Sequence, residues 1–167
     1  VVENLMNVLQ VAGKFDEPTA GFCSGFVQAN LAAFPQKYAG DFEAFCRSNP
    51  QPCPLLEIIG PGNTVSRKLA PGADILDTIP RYLIWHNGVC REEVQSIRSF
   101  ASEDMVFFLL GCSFSFEEAL QEEGIALRHL EEKKNVAMYK TNIPLESAGI
   151  FEGEMVVSMR PIPDDQV

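Results

Sequence analysis

The sequence predicts a mixed α/β domain, with a mixed sheet and flanking helices. Three observations carry this. Short apolar runs of strand length alternate with segments in which apolar residues recur at helical spacing. Hydrophobic residues make up 46% of 167 residues, enough for a core that buries about two thirds of the unfolded chain's surface. No internal repeat or low-complexity tract occurs, and the longest apolar run, 105–112, is far short of the ~20 residues that cross a bilayer.

In chain order, Leu5, Val8, Leu9 and Ala12 predict a helix over 2–12. The Gly-, Pro- and Thr-rich segment 16–25 reads as a loop, and the mostly apolar 26–34 as a strand. Pro35 suits the first turn of a helix. Tyr38, Phe42 and Phe45 continue that helix, and it must stop by Asn49-Pro50 because a residue before proline leaves helical geometry. Residues 53–59 read as a strand, Gly60-Pro61-Gly62-Asn63 as a turn, and the Pro/Gly-rich 69–73 as irregular chain or a lobe boundary. Residues 81–86, Asn87-Gly88 and the segment from Val89 form a hairpin, since both positions of an Asn-Gly turn accept positive φ. Residues 104–110 are a buried strand. Ser115 then caps a helix, with Glu118 completing a capping box and Gly124 ending it. Strands follow at 137–142 and 155–159. The strands at 26–33, 105–110 and 155–159 are all expected to lie buried in sheet.

The net charge is −10. Such a surface repels phosphate backbones and anionic membranes, so no nucleic acid and no membrane is expected as a partner. A small anionic substrate remains compatible, because Arg67, Lys68, Arg81, Arg128 or Arg160 can override the global sign locally. A homo-oligomer is equally compatible. The five cysteines, Cys23, Cys46, Cys53, Cys90 and Cys112, form no CxxC pair and fit free thiols in a reducing compartment. The expected location is the cytoplasm, or the mitochondrial matrix in a eukaryote. No phosphate loop, dinucleotide fingerprint, nucleophile elbow or zinc-ligand spacing occurs. No cofactor and no metal is therefore expected.

The junction Gly111-Cys112-Ser113-Phe114-Ser115-Phe116-Glu117 is the strongest site candidate. A strand-to-helix junction gathers unpaired N–H groups. Ser113 and Ser115 add hydroxyls, Cys112 a thiol and Glu117 a proton carrier. The same residues also fit a plain cap and core packing. A Cys112–His129 or Cys112–His86 pair would make a thiol nucleophile, though no local signature supports one. Gln28 and Asn30 would share one strand face inside an apolar stretch, where they either line a pocket or meet solvent. Asn142 is similarly placed before Ile143-Pro144. Arg160, after an apolar strand, could clamp a carboxylate bidentately or pair with an acidic neighbour.

Taken together, Gly25-Phe26-Val27-Gln28-Ala29-Asn30, Phe45-Cys46-Arg47-Ser48-Asn49-Pro50, Gly111 through Glu117, Thr141-Asn142-Ile143-Pro144 and Ser158-Met159-Arg160-Pro161-Ile162-Pro163 resemble the D-glutamate cyclase family, whose bacterial members are named hydro-lyases. The resemblance runs over nearly the whole chain. It implies an α/β fold of two closely joined lobes, and the Gly- and Pro-rich 60–73 is the expected place for a boundary. It also implies, for the animal member, cyclisation of D-glutamate to 5-oxo-D-proline with loss of water. Family members usually continue beyond the Met-Arg-Pro-Ile-Pro segment, so the chain is expected to be the N-terminal and central part of a longer domain.

Lactam formation needs a deprotonated α-amine, a neutralised γ-carboxylate and a folded substrate, and holding that shape lowers the barrier. The expected roles follow. Arg160 binds a carboxylate, the Ser113–Ser115 junction holds the γ-carboxyl oxygens, and Cys112 is a further catalytic candidate. Glu117 is the general acid/base, while Asn30, Asn142 and Gln28 orient the substrate. The rival expectation is a non-catalytic binding or interaction module, in which these residues scatter or are satisfied internally.

Overall fold

The computed structural model describes residues 25–166. The helix expected at 2–12, most of the loop at 16–25, and Cys23 lie outside that range. Strands and helices interleave, as the α/β class requires: β1 (Ala29–Pro35), α1 (Gln36–Ser48), β2 (Leu55–Ile59), β3 (Tyr82–His86), β4 (Val89–Val94), β5 (Met105–Gly111), α2 (Glu117–Glu122), α3 (Arg128–Glu131), β6 (Ala137–Pro144) and β7 (Glu154–Met159). All named strand pairs among the described residues are antiparallel. They make a three-stranded sheet in the order β1-β5-β2 and two separate hairpins, β3-β4 and β6-β7.

β5 is the organising strand. Its near-continuous apolar sequence is that of a strand covered on both faces, and side-chain alternation splits it between two cores. Val106 and Phe108 pack with Phe42, Phe45 and Cys46 of α1. Phe107 and Leu109 pack on the other side with Ile59, Ile75, Leu76, Tyr82 and Ile97. Aromatic rings fill the first core: Phe42 meets Phe108 edge-on at 4.9 Å and Phe34 meets Phe151 at 5.3 Å.

The ends of α1 show how local chemistry sets boundaries. Pro35 is not the first helical residue but the cap before it, with an extended ψ of 144°. Asn49 ends the helix, and its side chain is buried. Its Nδ2 donates to Phe45 O and Glu146 O, both at 2.8 Å, and its Oδ1 accepts from Glu146 N at 2.9 Å. The helix end is thereby tied to the segment after β6. The β3-β4 turn has positive φ at both Asn87 (49°) and Gly88 (74°), as the Asn-Gly pair demands.

The Gly/Pro-rich stretch around 60–73 is pinned by one carboxylate. Glu57, at an irregularity in β2, accepts from Ser66 Oγ and from the backbone N–H groups of Arg67, Lys68 and Leu69.

Three expectations are corrected. The strand expected buried at 26–33 begins only at Ala29 and lies at the sheet edge, paired with β5 alone, so Phe26, Val27, Ala29 and Asn30 are exposed and the rest of β1 is half-buried. The strand at 155–159 is not buried: β7 pairs only with β6, and Val156, Val157 and Met159 are exposed. With a single neighbour, β7 has no sheet to be enclosed by. The third correction concerns the capping box. Ser115 Oγ accepts from Gln28 N at 3.0 Å and Glu118 Oε2 from Gly25 N at 2.6 Å. Residues Ser113–Phe116 form a tight 3₁₀ turn, so α2 starts at Glu117 with no side-chain cap. The two polar side chains satisfy the chain entering β1, not their own helix.

Candidate functional site

The site forms where β5 ends. Gly111 N donates to Pro54 O at 2.8 Å and Cys112 N to Gln28 O at 3.1 Å, so the strand end is held from both sides. A Cβ on Gly111 would sit 3.0 Å from Pro54 Cγ, which explains why glycine serves there. The 3₁₀ turn then reverses the chain and sends Glu117 inward, where it is 2% exposed. β7 supplies Ser158, the residue directly after it is Arg160, and α3 supplies His129.

These segments meet at the Glu117 carboxylate. Arg160 donates to Glu117 Oε1 through Nε, at 2.7 Å, and through Nη2. His129 Nε2 lies 3.1 Å from Oε1 and 3.3 Å from Oε2. Arg160 also donates through Nη1 to Ser158 Oγ at 2.9 Å and through Nη2 to Ser113 Oγ at 3.1 Å. The two serine hydroxyls are 3.1 Å apart. The Phe116 ring lies 4.6 Å from the guanidinium carbon, a cation–π contact, and Phe114 stacks on His129 at 6.4 Å. Burying a carboxylate and a guanidinium is costly unless each is paired and hydrogen-bonded. Here two Arg160 N–H groups converge on one carboxylate oxygen, Oε1, and two further N–H groups meet hydroxyl oxygens.

A cleft of about 790 Å³ opens beside this network. Arg160, Ser158, Ser113, Cys112 and Asn30 stand on its wall, with apolar residues such as Met138 and Phe116 completing it. Four of the residues singled out by sequence are therefore brought together here: Arg160, Ser113, Cys112 and Asn30. Glu117, expected as the proton carrier, is close by but absent from the cleft wall, behind the Arg160 guanidinium. Ser115 is exposed and holds Gln28 N. Gln28 ties down the junction by its backbone, and its side-chain Oε1 is buried without a partner among the described residues. Asn142 is exposed on β6 and does not reach the cleft wall. His129 faces Glu117, and no hydrogen bond joins Cys112 to a histidine among the described residues.

Ser158 and His129 were not singled out as partners of this network. Ser158 had a signal: it stands two residues before Arg160 at the end of an apolar strand, and a two-residue period puts both on one face. His129 had none, since nothing in the spacing from Glu117 marks it as that residue's neighbour.

The family model described as D-glutamate cyclase matches residues 106–167, which include Ser113, Glu117, His129, Ser158 and Arg160. The protein named "Putative hydro-lyase" of Natranaerobius thermophilus is 50% identical over 155 residues, covering 93% of this chain and 59% of the relative. Over residues 106–167 the chain matches the D-glutamate cyclase family, and over nearly all of its length it is similar to these hydro-lyases. Another relative, the "Putative hydro-lyase" of Stutzerimonas stutzeri, is 52% identical over 93% of this chain and 58% of its own length. That of Bacillus subtilis is 49% identical over 91% of this chain and 59% of the relative. The chain thus spans less than two thirds of the length of these relatives. Its kinship is with a hydro-lyase family. No helix among the described residues is long and apolar enough to cross a membrane.

Proposed function

We propose that the cleft is the carboxyl-binding part of a hydro-lyase site for small amino or hydroxy acids, and that its reaction is closure of D-glutamate to 5-oxo-D-proline. The observation that carries the reading is Arg160, which stands at the cleft wall between two serine hydroxyls with its orientation held from behind by Glu117. The family name supplies the reaction class, and this cluster supplies chemistry that suits it.

In the reaction the substrate's ammonium and γ-carboxylate become an amide and one water. The C–N bond forms, a C–O bond breaks, and two of the three ammonium protons leave with the departing oxygen. Donors aimed at the carboxyl oxygens stabilise the charge that builds on them as nitrogen attacks. Arg160, Ser113 and Ser158 are such donors, and Cys112 and Asn30 flank them on the wall. Glu117 acts through Arg160 and does not touch substrate. We place this activity in the cytoplasm, or the mitochondrial matrix of a eukaryote, where free thiols persist. The four cysteines among the described residues are all free.

A second reading, binding without turnover, draws on one observation: most of the Arg160 donors are already used within the protein. One experiment separates the two. This chain and a full-length relative are incubated with D-glutamate, L-glutamate and small hydroxy acids, and products are followed by chiral chromatography. Lactam from D-glutamate supports the cyclase; dehydration of a hydroxy acid keeps the hydro-lyase and replaces the substrate. No turnover by either protein leaves only the binding module.

A further inference from the structure

Counting donors and acceptors around Arg160 identifies the group that the cleft is built to receive. A guanidinium has five N–H donors. Nε–H and one Nη2–H go to Glu117, the second Nη2–H to Ser113, and one Nη1–H to Ser158. The second Nη1–H has no acceptor among the described residues. The serines hold two hydroxyl protons between them but share a single contact, at 3.1 Å. Whichever serine donates in that contact, one hydroxyl proton is left over, again without an acceptor among the described residues. The lone pairs are nearly used up: three of the four on the two hydroxyl oxygens are engaged, two by Arg160 and one by the neighbouring serine.

We infer that Ser113, Ser158 and Arg160 form a two-donor cradle that takes the oxygens of a carboxylate and rejects the isosteric carboxamide. The surplus donors are neighbours, since Nη1 lies 2.9 Å from Ser158 Oγ and the two hydroxyls lie 3.1 Å apart. A carboxylate only accepts, so each oxygen meets a donor. A carboxamide would turn its NH₂ toward one of those donors, leaving two donors face to face and a desolvated polar group unpaired. The cradle is also rigid. The Arg160 side chain is 6% exposed, Glu117 holds two of its N–H groups, and the Phe116 ring lies against it. A guanidinium that cannot rotate loses little freedom on binding. Glu117, itself contacted by His129, is a positioning residue: it leaves Nη1 as the nitrogen with a donor to spare.

This inference rests on the reading of the cleft as carboxyl-binding, but its test does not need turnover. The chain is titrated with glutarate and with glutaramide, which have the same carbon skeleton and no amine, and binding is followed by NMR shift perturbation. Glutarate should bind at least about tenfold more tightly, the scale on which a site of unpaired donors separates substrates. The double variant Ser113→Ala/Ser158→Ala should lose most of that preference with its circular dichroism unchanged. If that variant does not fold, Ser158→Ala alone, which spares the junction turn, should reduce the preference severalfold, and Ser158→Thr should restore it.

A wild-type preference under about twofold, no binding of either ligand, or a preference untouched by loss of the hydroxyls would overturn the cradle. Because glutarate cannot form a lactam, selectivity without D-glutamate turnover removes the proposed reaction and leaves the cradle standing. Turnover without carboxylate selectivity does the reverse.

Discussion

Arg160 Nε donates to Glu117 Oε1 across 2.7 Å, although the two residues are 43 positions apart. The contact joins the turn after β5 to the end of the β6-β7 hairpin, two parts that belong to no common sheet. Both side chains are almost wholly enclosed, at 6% and 2% exposure. A pair in such a place contributes less through its own attraction than through the penalty for leaving either charge alone.

That asymmetry predicts the outcome of a double-mutant cycle. Glu117→Leu strands a buried guanidinium, and Arg160→Met strands a buried carboxylate. Each should cost about 3–5 kcal/mol by chemical denaturation. The double variant should cost much less than the sum, because it leaves no uncompensated charge. Additive losses would mean that the two residues do not act as a pair.

Much of the fold was legible because it rests on local chemistry. The Asn87-Gly88 turn, the helix stop at Asn49-Pro50 and the doubly covered strand β5 each follow from what a few neighbouring residues can adopt. The site was legible only in pieces. Ser113, Glu117 and Arg160 stand out as polar residues in apolar surroundings, but sequence shows a side chain's type and not its recipient. Ser115 and Glu118 have the composition of a capping box and serve the backbone of β1's entry segment instead. His129 is a partner that only the folded chain reveals.

Glu57 predicts an acid-sensitive loop. Burial pushes its carboxyl up, but the N–H groups of Arg67 and Leu69, the Ser66 hydroxyl and the N–H of Lys68 together hold it below the usual carboxylate range. A carboxyl depressed in the folded state adds stability that is complete above its unfolded value of about 4.3 and is lost as pH falls through the lower folded value. The wild-type chain should therefore lose stability over that acid window. Glu57→Gln should be less stable at neutral pH and flatter below pH ~5. Parallel pH curves for the two proteins would remove Glu57 from the loop's stability.

The cysteines predict an order of reactivity. Burial, then the nearby Cys53 and Glu43, push the Cys46 thiol up to about 11. Cys46 is 1% exposed, whereas Cys90 lies open on the β3-β4 hairpin. The thiolate is the reactive form. Under native conditions at pH 7.5 to 8, iodoacetamide should label Cys90 well ahead of Cys46, which should react only on unfolding, read by peptide mass spectrometry. Equal labelling rates at the two positions would show that the α1 core opens freely.

Asn30 and Asn142 looked alike in the sequence, each a polar residue in an apolar stretch, and the fold separates them. Asn30 stands on the cleft wall beside Ser113 and Arg160, while Asn142 is exposed on β6 away from it. An amide on the wall can donate to one substrate oxygen or accept from an ammonium, and removing such a bond costs about 1 kcal/mol or somewhat more when the partner is charged. Asn30→Ala should therefore weaken glutarate or D-glutamate binding by about fivefold to tenfold. Asn142→Ala should change it less than about twofold, with both proteins as stable as the parent. The measurement is one ligand titration on three proteins under one set of conditions. Equal losses in the two variants, or a larger loss in Asn142→Ala, would move substrate recognition off this cleft and onto the β6 face.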